Sequence, residues 1–574
     1  MKTNETSHAL NCEGCMKVLI ILVRFNKSPF IYEENSTEKN FNYNMPLGLP
    51  YISAVLKKNG LDVTVLNLNH MEGLVKNILR QEFENTTYNF VFMGGLSIYY
   101  PNIRDYTKYI RAISPETKIV LGGGLISSQP EIMYNLLKPD YIVIGEGEES
   151  ARELLQSIQN GDDISLVDGI GYGDSTGNLV LTKTRRPIMD LDSIPFPDHQ
   201  GSDLRVFLDN MAPGNYILYD RSNNPRAYPI LMSRSCPYGC TFCYHQLGQK
   251  YRQRSIDNIM QEIKFAAYEY KINIFVCYDE LFAYDRNRII DFCTKINEFR
   301  KTVPWEITWN CSLRVDNIDD DLIKMMKCAG CTMISPGLES YSNTVLKSMK
   351  KHITSQQIDR ALRIISENDV AVQGTFIFGD PAETLETAKE TLAYFKNNQE
   401  IVRGGVQLGF VILFQGSPLY KYCIQKGLIK DEIEFIEKRA KKGYIFYEPM
   451  NLTDSLSTRE FEKLKNNVMV AIYTAGYHIS PVLSRTVDGI SEVHIKCPYC
   501  HKVSVLKNMT PPRGDEIQNV GCRYCNGRFE MVSKYYPIRE FLLKTVGFYN
   551  LLKLGDLIRT PVRFCSYIKK RSLF

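Results

Sequence analysis

Residues 232–245 read Met-Ser-Arg-Ser-Cys-Pro-Tyr-Gly-Cys-Thr-Phe-Cys-Tyr-His, and their reading decides the fold. They set Cys236, Cys240 and Cys243 at CxxxCxxC spacing, directly after an apolar run with strand character. Proline and glycine between the first two cysteines suit a tight, non-helical loop. A loop this short can wrap three thiolates around one iron–sulfur cubane, leaving one iron without a protein ligand, and thiolates are the usual ligands of such clusters. Phe242 precedes the third cysteine and can shield a cluster from water. The competing reading is a zinc site, which normally takes four ligands; no further cysteine follows before Cys277.

Outward from this loop a strand–helix rhythm runs over residues 230–430, with strands expected at Pro229–Ser233, Ile274–Tyr278, Glu306–Ser312, Thr332–Ser335, Val372–Phe378 and Gln407–Leu413. Amphipathic helices fit Ile256–Tyr270, Arg288–Arg300, Asp319–Ala329, Ser355–Asn368 and Leu385–Asn397. Six such units fall short of a closed eight-unit barrel, so a partial (βα)6 TIM-type barrel is expected. Upstream, residues 16–160 repeat the rhythm with strands at Val18–Val23, Val63–Leu68, Phe90–Met93, Lys118–Leu121 and Tyr141–Ile144. That pattern predicts an open parallel sheet with ligands at the carboxyl ends of its strands. Residues 161–229 read as a linker with one hairpin, 431–490 as a helical region, and 1–15 as a disordered tail. The fold class is therefore α/β, a Rossmann-like (flavodoxin-like) domain followed by the partial barrel.

The cluster motif resembles the signature of the radical SAM superfamily. That resemblance implies a [4Fe–4S] cluster whose open iron binds S-adenosyl-L-methionine (AdoMet), and reductive cleavage of AdoMet to a 5′-deoxyadenosyl radical. It also implies AdoMet contacts at later strand ends: Asp279 and Glu280 in FVCYDELF, Arg314 in NCSLRVD, Glu339 in SPGLES, and Ile377 with Gly379 in GTFIFGDPAE. Arginine there can pair with the AdoMet carboxylate, and glutamate with its ammonium or ribose.

The first domain is similar to the cobalamin-binding domain that precedes many radical SAM cores. The matching stretches are PLGLPYISAVLKKNG, MGGLS (Gly95, Leu96, Ser97), LGGG (Gly122, Gly123, Gly124) and IGEGEES (Glu146, Gly147). The glycines would let backbone approach a corrinoid, and Ser97 would bond its nucleotide tail. The loop after the first strand, LVRFNKSPF, lacks the histidine that ligates cobalt in some such domains. His70, in NLNHMEG, lies in a different loop and reads as an ordinary surface or capping residue.

Residues 491–532 contain Cys497, Cys500, Cys522 and Cys525 as two CxxC pairs. Two such knuckles complete a tetrahedral site, read as a structural zinc ribbon; an iron-only centre uses the same spacing. Cys12 and Cys15 form a lone CxxC near the N-terminus, and the other cysteines sit mostly in apolar, core-like patterns. Residues 533–574 pair aliphatic and aromatic side chains with basic ones. Such a tail can lie on an anionic membrane, although packing of its apolar face on the protein is the preferred reading.

A chain of 574 residues exceeds a single core of roughly 250–300 residues. A net charge of +5 is too mild to mark a nucleic-acid binder. The first residues carry no secretory pattern, and no apolar run reaches the ~18 residues of a spanning helix. A cytoplasmic, reduced location is expected, where clustered cysteines bind metal. The expected activity is cobalamin-dependent methylation of an unactivated carbon, on a small-molecule or carrier-bound substrate, with electrons from a flavodoxin or ferredoxin. A cobalamin-dependent radical cyclase or rearrangement enzyme is the alternative, and a zinc-ribbon protein that binds a carrier or nucleic acid is a third.

Overall fold

The computed structural model describes residues 16–25, 45–211, 224–442, 449–487, 490–507, 509, 511–512 and 517–547. The expected tail over residues 1–15, with Cys12 and Cys15, lies outside them, as do Cys565 and the loop after Phe25.

The first sheet contains β1 (Lys17–Leu22), β2 (Asp62–Asn67), β3 (Phe90–Gly94), β4 (Lys118–Gly122), β5 (Tyr141–Val143), β6 (Ile170–Gly173) and β7 (Leu179–Leu181), in the order 2-1-3-4-5-6-7. The first five are parallel and have the flavodoxin-like order 2-1-3-4-5. Period-two alternation divides β1 between two cores: Val18, Ile20 and Leu22 pack on one face, and Leu19 and Ile21 on the other. Burial of both faces accounts for its unbroken apolar run. The hairpin β6–β7 is antiparallel to β5 and extends this sheet. The segment read as a linker thus belongs partly to the first domain, because β5 offers a pairing edge to the next strand in the chain.

The second sheet is built on β8 (Ala227–Ile230). Beyond the short antiparallel pair β9 (Ser233–Arg234) and β10 (Arg252–Gln253), it continues with β11 (Ile274–Cys277), β12 (Thr308–Leu313), β13 (Cys331–Pro336) and β14 (Ala371–Val372), all parallel, in the order 14-13-12-11-8. The fifth barrel strand breaks at Gln373 and resumes as β15 (Gly374–Phe378), which pairs in parallel with β16 (Val406–Phe410). Gln373 N donates to Ile334 O and Gly374 N to Gly405 O, so the break is a bend between neighbours rather than an end. Six units form an open barrel as expected, one of them kinked.

The helix Glu432–Lys442 returns to the first domain, where Ile436 joins its core and Arg104 meets Glu437 at 3.0 Å. After the helix Thr458–Thr474 come β17 (His478–Ile479), β18 (Leu483–Val487), β19 (Ile490–Lys496), β20 (Val503–Lys507), β21 (Ile517–Gly521) and β22 (Arg528–Val532), in sheets 17-22-21 and 18-19-20. Strands therefore begin before residue 490, inside the region expected to be helical. No described helix is long and apolar enough to cross a membrane.

The two large domains are joined by buried charge. β9 and β10 form the stem of the cluster loop and place Arg234 opposite Arg252. Arg252 Nη1 donates to both oxygens of Glu146 at 2.7 Å. Arg234 bridges Glu146 at 2.9 Å and Glu148 at 2.6 Å. All four side chains are nearly sealed from solvent. Breaking a buried pair by removing one partner costs about 3–5 kcal/mol. Arg252→Met should lower the first urea-unfolding transition by about that amount, whereas Arg363→Met, on an exposed helical pair with Asp359, should leave it unchanged.

Candidate functional site

The carboxyl ends of the two parallel sheets face each other across the cluster loop. Thr241 N donates to Met349 O at 3.0 Å, and Leu419 N donates to Thr241 O at 2.8 Å, so the loop is pinned on two sides. Phe242 packs against an apolar group that includes Leu413, Leu419 and Tyr420. A hydrogen bond from Cys243 brings the Cys240 thiol down to about 6, against the effect of burial, and the Lys351 ammonium adds to the lowering. Burial pushes Cys236 up. The donor set of three thiols in one loop fits a [4Fe–4S] cluster, whose thiolates bind separate irons.

The residues expected to contact AdoMet divide by what they already hold. Asp279 is buried and accepts from Met232 N at 2.8 Å and Ser233 N at 3.0 Å through Oδ1. Burial pushes its carboxyl up to about 7, and Oδ2 has no hydrogen-bond partner among the described residues. It fixes the root of the cluster loop, leaving one oxygen over. Glu280 is half exposed, with His245 Nδ1 at 3.6 Å. Arg314 is engaged through Nε and Nη2 by Asp316 and by the carbonyls of Lys351 and His352, with Tyr238 of the cluster loop 3.7 Å from its guanidinium. Glu339 adopts φ +60° and pairs with Lys351 at 2.8 Å. Ile377 N donates to Glu339 O, and Gly379 lies buried at φ +94° beside Phe410 and Phe461.

Sequence reasoning missed Lys351. It is largely buried and acts electrostatically on all three cluster thiols. Its only signal was a pair of lysines in the loop SMKKH. Cys277, Cys293, Cys311 and Cys331 are buried in the barrel core, whereas Cys328 is exposed.

In the first domain the glycine loops give a floor poor in side chains. A Cβ at Gly123 would lie 2.8 Å from Gly95 N, and one at Gly124 would lie 2.7 Å from Gln246 Oε1. The loops after β3 and β4 thus approach each other and the cluster loop. Gly145, at φ +78°, borders open space, and Leu96 is 55% exposed at this end of the sheet. An exposed apolar side chain among bare backbone fits a broad, planar ligand such as a corrinoid. Ser97 is buried at the start of a short helix, and Gly122 ends β4. Two expected cofactor residues make structural contacts in this fold. Glu146 is clasped by arginines, and Gly147 lets the helix it opens pack on Ile52, where a Cβ would lie 2.9 Å from Ile52 Cδ1. His70 is buried rather than on the surface, 3.7 Å from Asp203 and stacked on Phe207.

The second metal-type centre sits at the opposite end of the barrel. The sulfur atoms of Cys497, Cys500, Cys522 and Cys525 all lie within 4.8 Å of one another, with 3.7 Å between Cys497 and Cys525 and 3.5 Å between Cys500 and Cys522. Zinc–sulfur bonds of ~2.3 Å in a tetrahedron put sulfurs ~3.8 Å apart, so the cage fits zinc. The second knuckle is tied to the amino ends of barrel strands. Arg528 N donates to Arg403 O, Asn526 Nδ2 to Asp369 O, and Arg403 Nη1 to Cys525 O. A Cβ at Gly404 would collide with Arg528 O.

With this geometry in place, comparison with known proteins gives consistent results. The B12 binding domain family matches residues 41–155, and the Radical SAM superfamily matches residues 230–395. The chain is 25% identical over 435 residues to an uncharacterized methyltransferase of Pyrococcus horikoshii, covering 75% of this chain and 87% of that one. It is 29% identical over 289 residues to the anaerobic magnesium-protoporphyrin IX monomethyl ester cyclase of Rubrivivax gelatinosus, covering 49% of each. The fold is similar to that of TsrM, a radical S-adenosylmethionine methyltransferase from Kitasatospora setae, solved with cobalamin and a [4Fe–4S] cluster. The TM-score is 0.56 at 19% identity, over 71% of this chain and 75% of that one. A B12-binding domain followed by a radical SAM domain defines the class. The chain is a cobalamin-dependent radical SAM enzyme.

The cage at the base of the barrel yields a direct test. Cys522→Ala should lose one equivalent of zinc by elemental analysis and lower the melting temperature, while iron loading after anaerobic reconstitution stays unchanged. Loss of iron with retention of zinc would contradict the assignment.

Proposed function

We propose that this enzyme transfers a methyl group to an unactivated carbon of a small-molecule or carrier-bound substrate. The observation that carries the reading is the clasp of Glu146 and Glu148 on Arg234 and Arg252, which holds the cluster loop against the glycine-lined end of the first domain. When bound, the cluster, AdoMet and cobalamin supply radical formation and the methyl group. The chain's own residues supply placement. Cys236, Cys240 and Cys243 hold the cluster, Phe242 and its apolar neighbours exclude water on one side, and Asp279 anchors the loop root. The similarity to the methyltransferase of Pyrococcus horikoshii over most of both chains supports methyl transfer. The Rubrivivax cyclase supports a second reading, radical cyclisation with the same cofactors. Electrons would come from a small carrier such as flavodoxin or ferredoxin, and the cysteine cage at the barrel's base would act as a closed structural zinc site.

The Glu339–Lys351 pair complements a zwitterion: the carboxylate suits the AdoMet ammonium and the ammonium suits its carboxylate. Arg314 has two of its nitrogens engaged by Asp316 and by backbone carbonyls, and Lys351 stands beside it as a second cation, held by Glu339. The left-handed backbone of Glu339 costs on the order of 1–2 kcal/mol, as expected where placement matters more than local comfort. Lys351→Met should weaken AdoMet binding about tenfold or more in equilibrium dialysis with cluster-loaded protein, with iron content unchanged; unaltered affinity would remove Lys351 from the site.

With its acceptor present, the reconstituted enzyme should produce both 5′-deoxyadenosine and S-adenosylhomocysteine, detected by mass spectrometry. Deoxyadenosine without homocysteine would favour cyclisation. Cys240→Ala should abolish both, and persistence of deoxyadenosine would refute the ligand assignment.

A further inference from the structure

Three exposed lysines rise from the backbone that braces the cluster loop. Thr241, between Cys240 and Cys243, is bonded to Met349 on one side and to Leu419 on the other. Lys350 follows Met349 directly, at φ +52°, and its N–H donates to Lys347 O at 3.1 Å. Lys421 stands two residues beyond Leu419 on the helix Pro418–Gln425. Lys347, Lys350 and Lys421 are all exposed. Their neighbours turn the other way. Lys351 acts on the cluster thiols, and Leu419 and Tyr420 pack with Phe242 of the loop.

None of these three lysines enters an ion pair among the described residues. Lysines elsewhere on the surface do, Lys295 with Asp257 and Lys544 with Glu540. The carboxylates beside this part of the loop are already committed. Glu339 holds Lys351, and Asp454 takes Lys426 and the Tyr422 hydroxyl. Three uncompensated positive charges therefore gather around Thr241. Clustered like charges without counterions raise a local potential that an acidic partner relieves.

We propose that Lys347, Lys350 and Lys421 form the docking surface for a small acidic electron-carrier protein. The proposal rests on the radical reading above, in which the cluster must receive an electron from outside. One electron leaves the carrier's reduced cofactor, which is oxidised by one, and enters the oxidised cluster, which is reduced by one. No atom is transferred. Electron transfer weakens steeply with distance, so a carrier has to dock where little protein separates the cluster from solvent. Thr241 is adjacent to Cys240 and two residues from Cys243, and the lysines surround its backbone contacts. Electron-transfer encounters are small and transient, and opposed charge supplies their orientation and on-rate. The surface serves methylation and cyclisation alike, since both begin with the same reduction.

The test compares the full-length, cluster-loaded protein with the variant K347E/K350E/K421E. Binding is measured by surface plasmon resonance, with a bacterial flavodoxin and a bacterial ferredoxin as probes. The parent should bind at least one of them, less tightly as salt rises. The variant should bind on the order of tenfold more weakly or worse, with its melting temperature and iron content unchanged. A second readout is AdoMet cleavage driven either by the reduced carrier or by dithionite. The variant should lose the carrier-driven rate and keep the dithionite-driven one. Equal carrier binding by parent and variant would overturn the proposal, as would binding of neither carrier by the parent. A variant that loses binding to anionic vesicles but not to the carrier would assign the lysines to a membrane instead. Failure of dithionite to drive cleavage in the parent would count against the radical reading, while the binding data would still judge the docking surface.

Discussion

The architecture depends on one buried ion cluster. Arg234 and Arg252 face each other across the two strands that frame the cluster loop, and both reach into the first domain to hold Glu146 and Glu148. Ile188 N adds a backbone donor to Glu146 at 2.7 Å, and Ser235 Oγ accepts from Arg252 at 3.1 Å. In a low-dielectric setting an incompletely paired charge is costly, so such a cluster tolerates little displacement. The clasp thereby fixes the iron–sulfur loop relative to the glycine floor. Chemistry that uses two cofactors needs their sites held in register, and this interaction contributes to that register.

A division of labour follows along the barrel axis. At the carboxyl ends of the strands lie the cysteine loop, the Glu339–Lys351 pair and the glycine loops of the first domain. At the amino ends the four-cysteine module closes the barrel against Asp369 and Arg403. The lower site is wired to backbone carbonyls rather than to a pocket, which agrees with a role in holding the kinked strands β14, β15 and β16 together. Gly404 and Gly405 permit that contact, since a Cβ at either would meet backbone oxygen of Arg528 or Val372.

Much of this was legible in the chain. The strands of both sheets fell within a few residues of their expected limits, because buried parallel strands are short apolar runs with little ambiguity of period. The paired CxxC spacing named four cysteines that the fold brings together, because a loop's reach is set by local geometry. The hairpin Ile170–Leu181 was recognised, but its membership of the first sheet was not, since pairing depends on which edge is free in space. Glu146 illustrates the same limit: it was assigned to a cofactor from its motif, and its partner Arg252 lies 106 residues away.

The sequence by itself determined the two α/β modules, their order, the CxxxCxxC loop after the first barrel strand and the grouping of four cysteines near the C-terminus. These follow from periodicity and short-range spacing, which are properties of neighbouring residues. Tertiary structure alone decided which charges face the site. It engaged Arg314 with Asp316 and two carbonyls, directed Lys351 toward the cluster thiols, and turned Glu146 and Gly147 to structural work. The physical reason is that a side chain's role is set by the partners it finds on folding, and those partners lie on strands far apart in the chain.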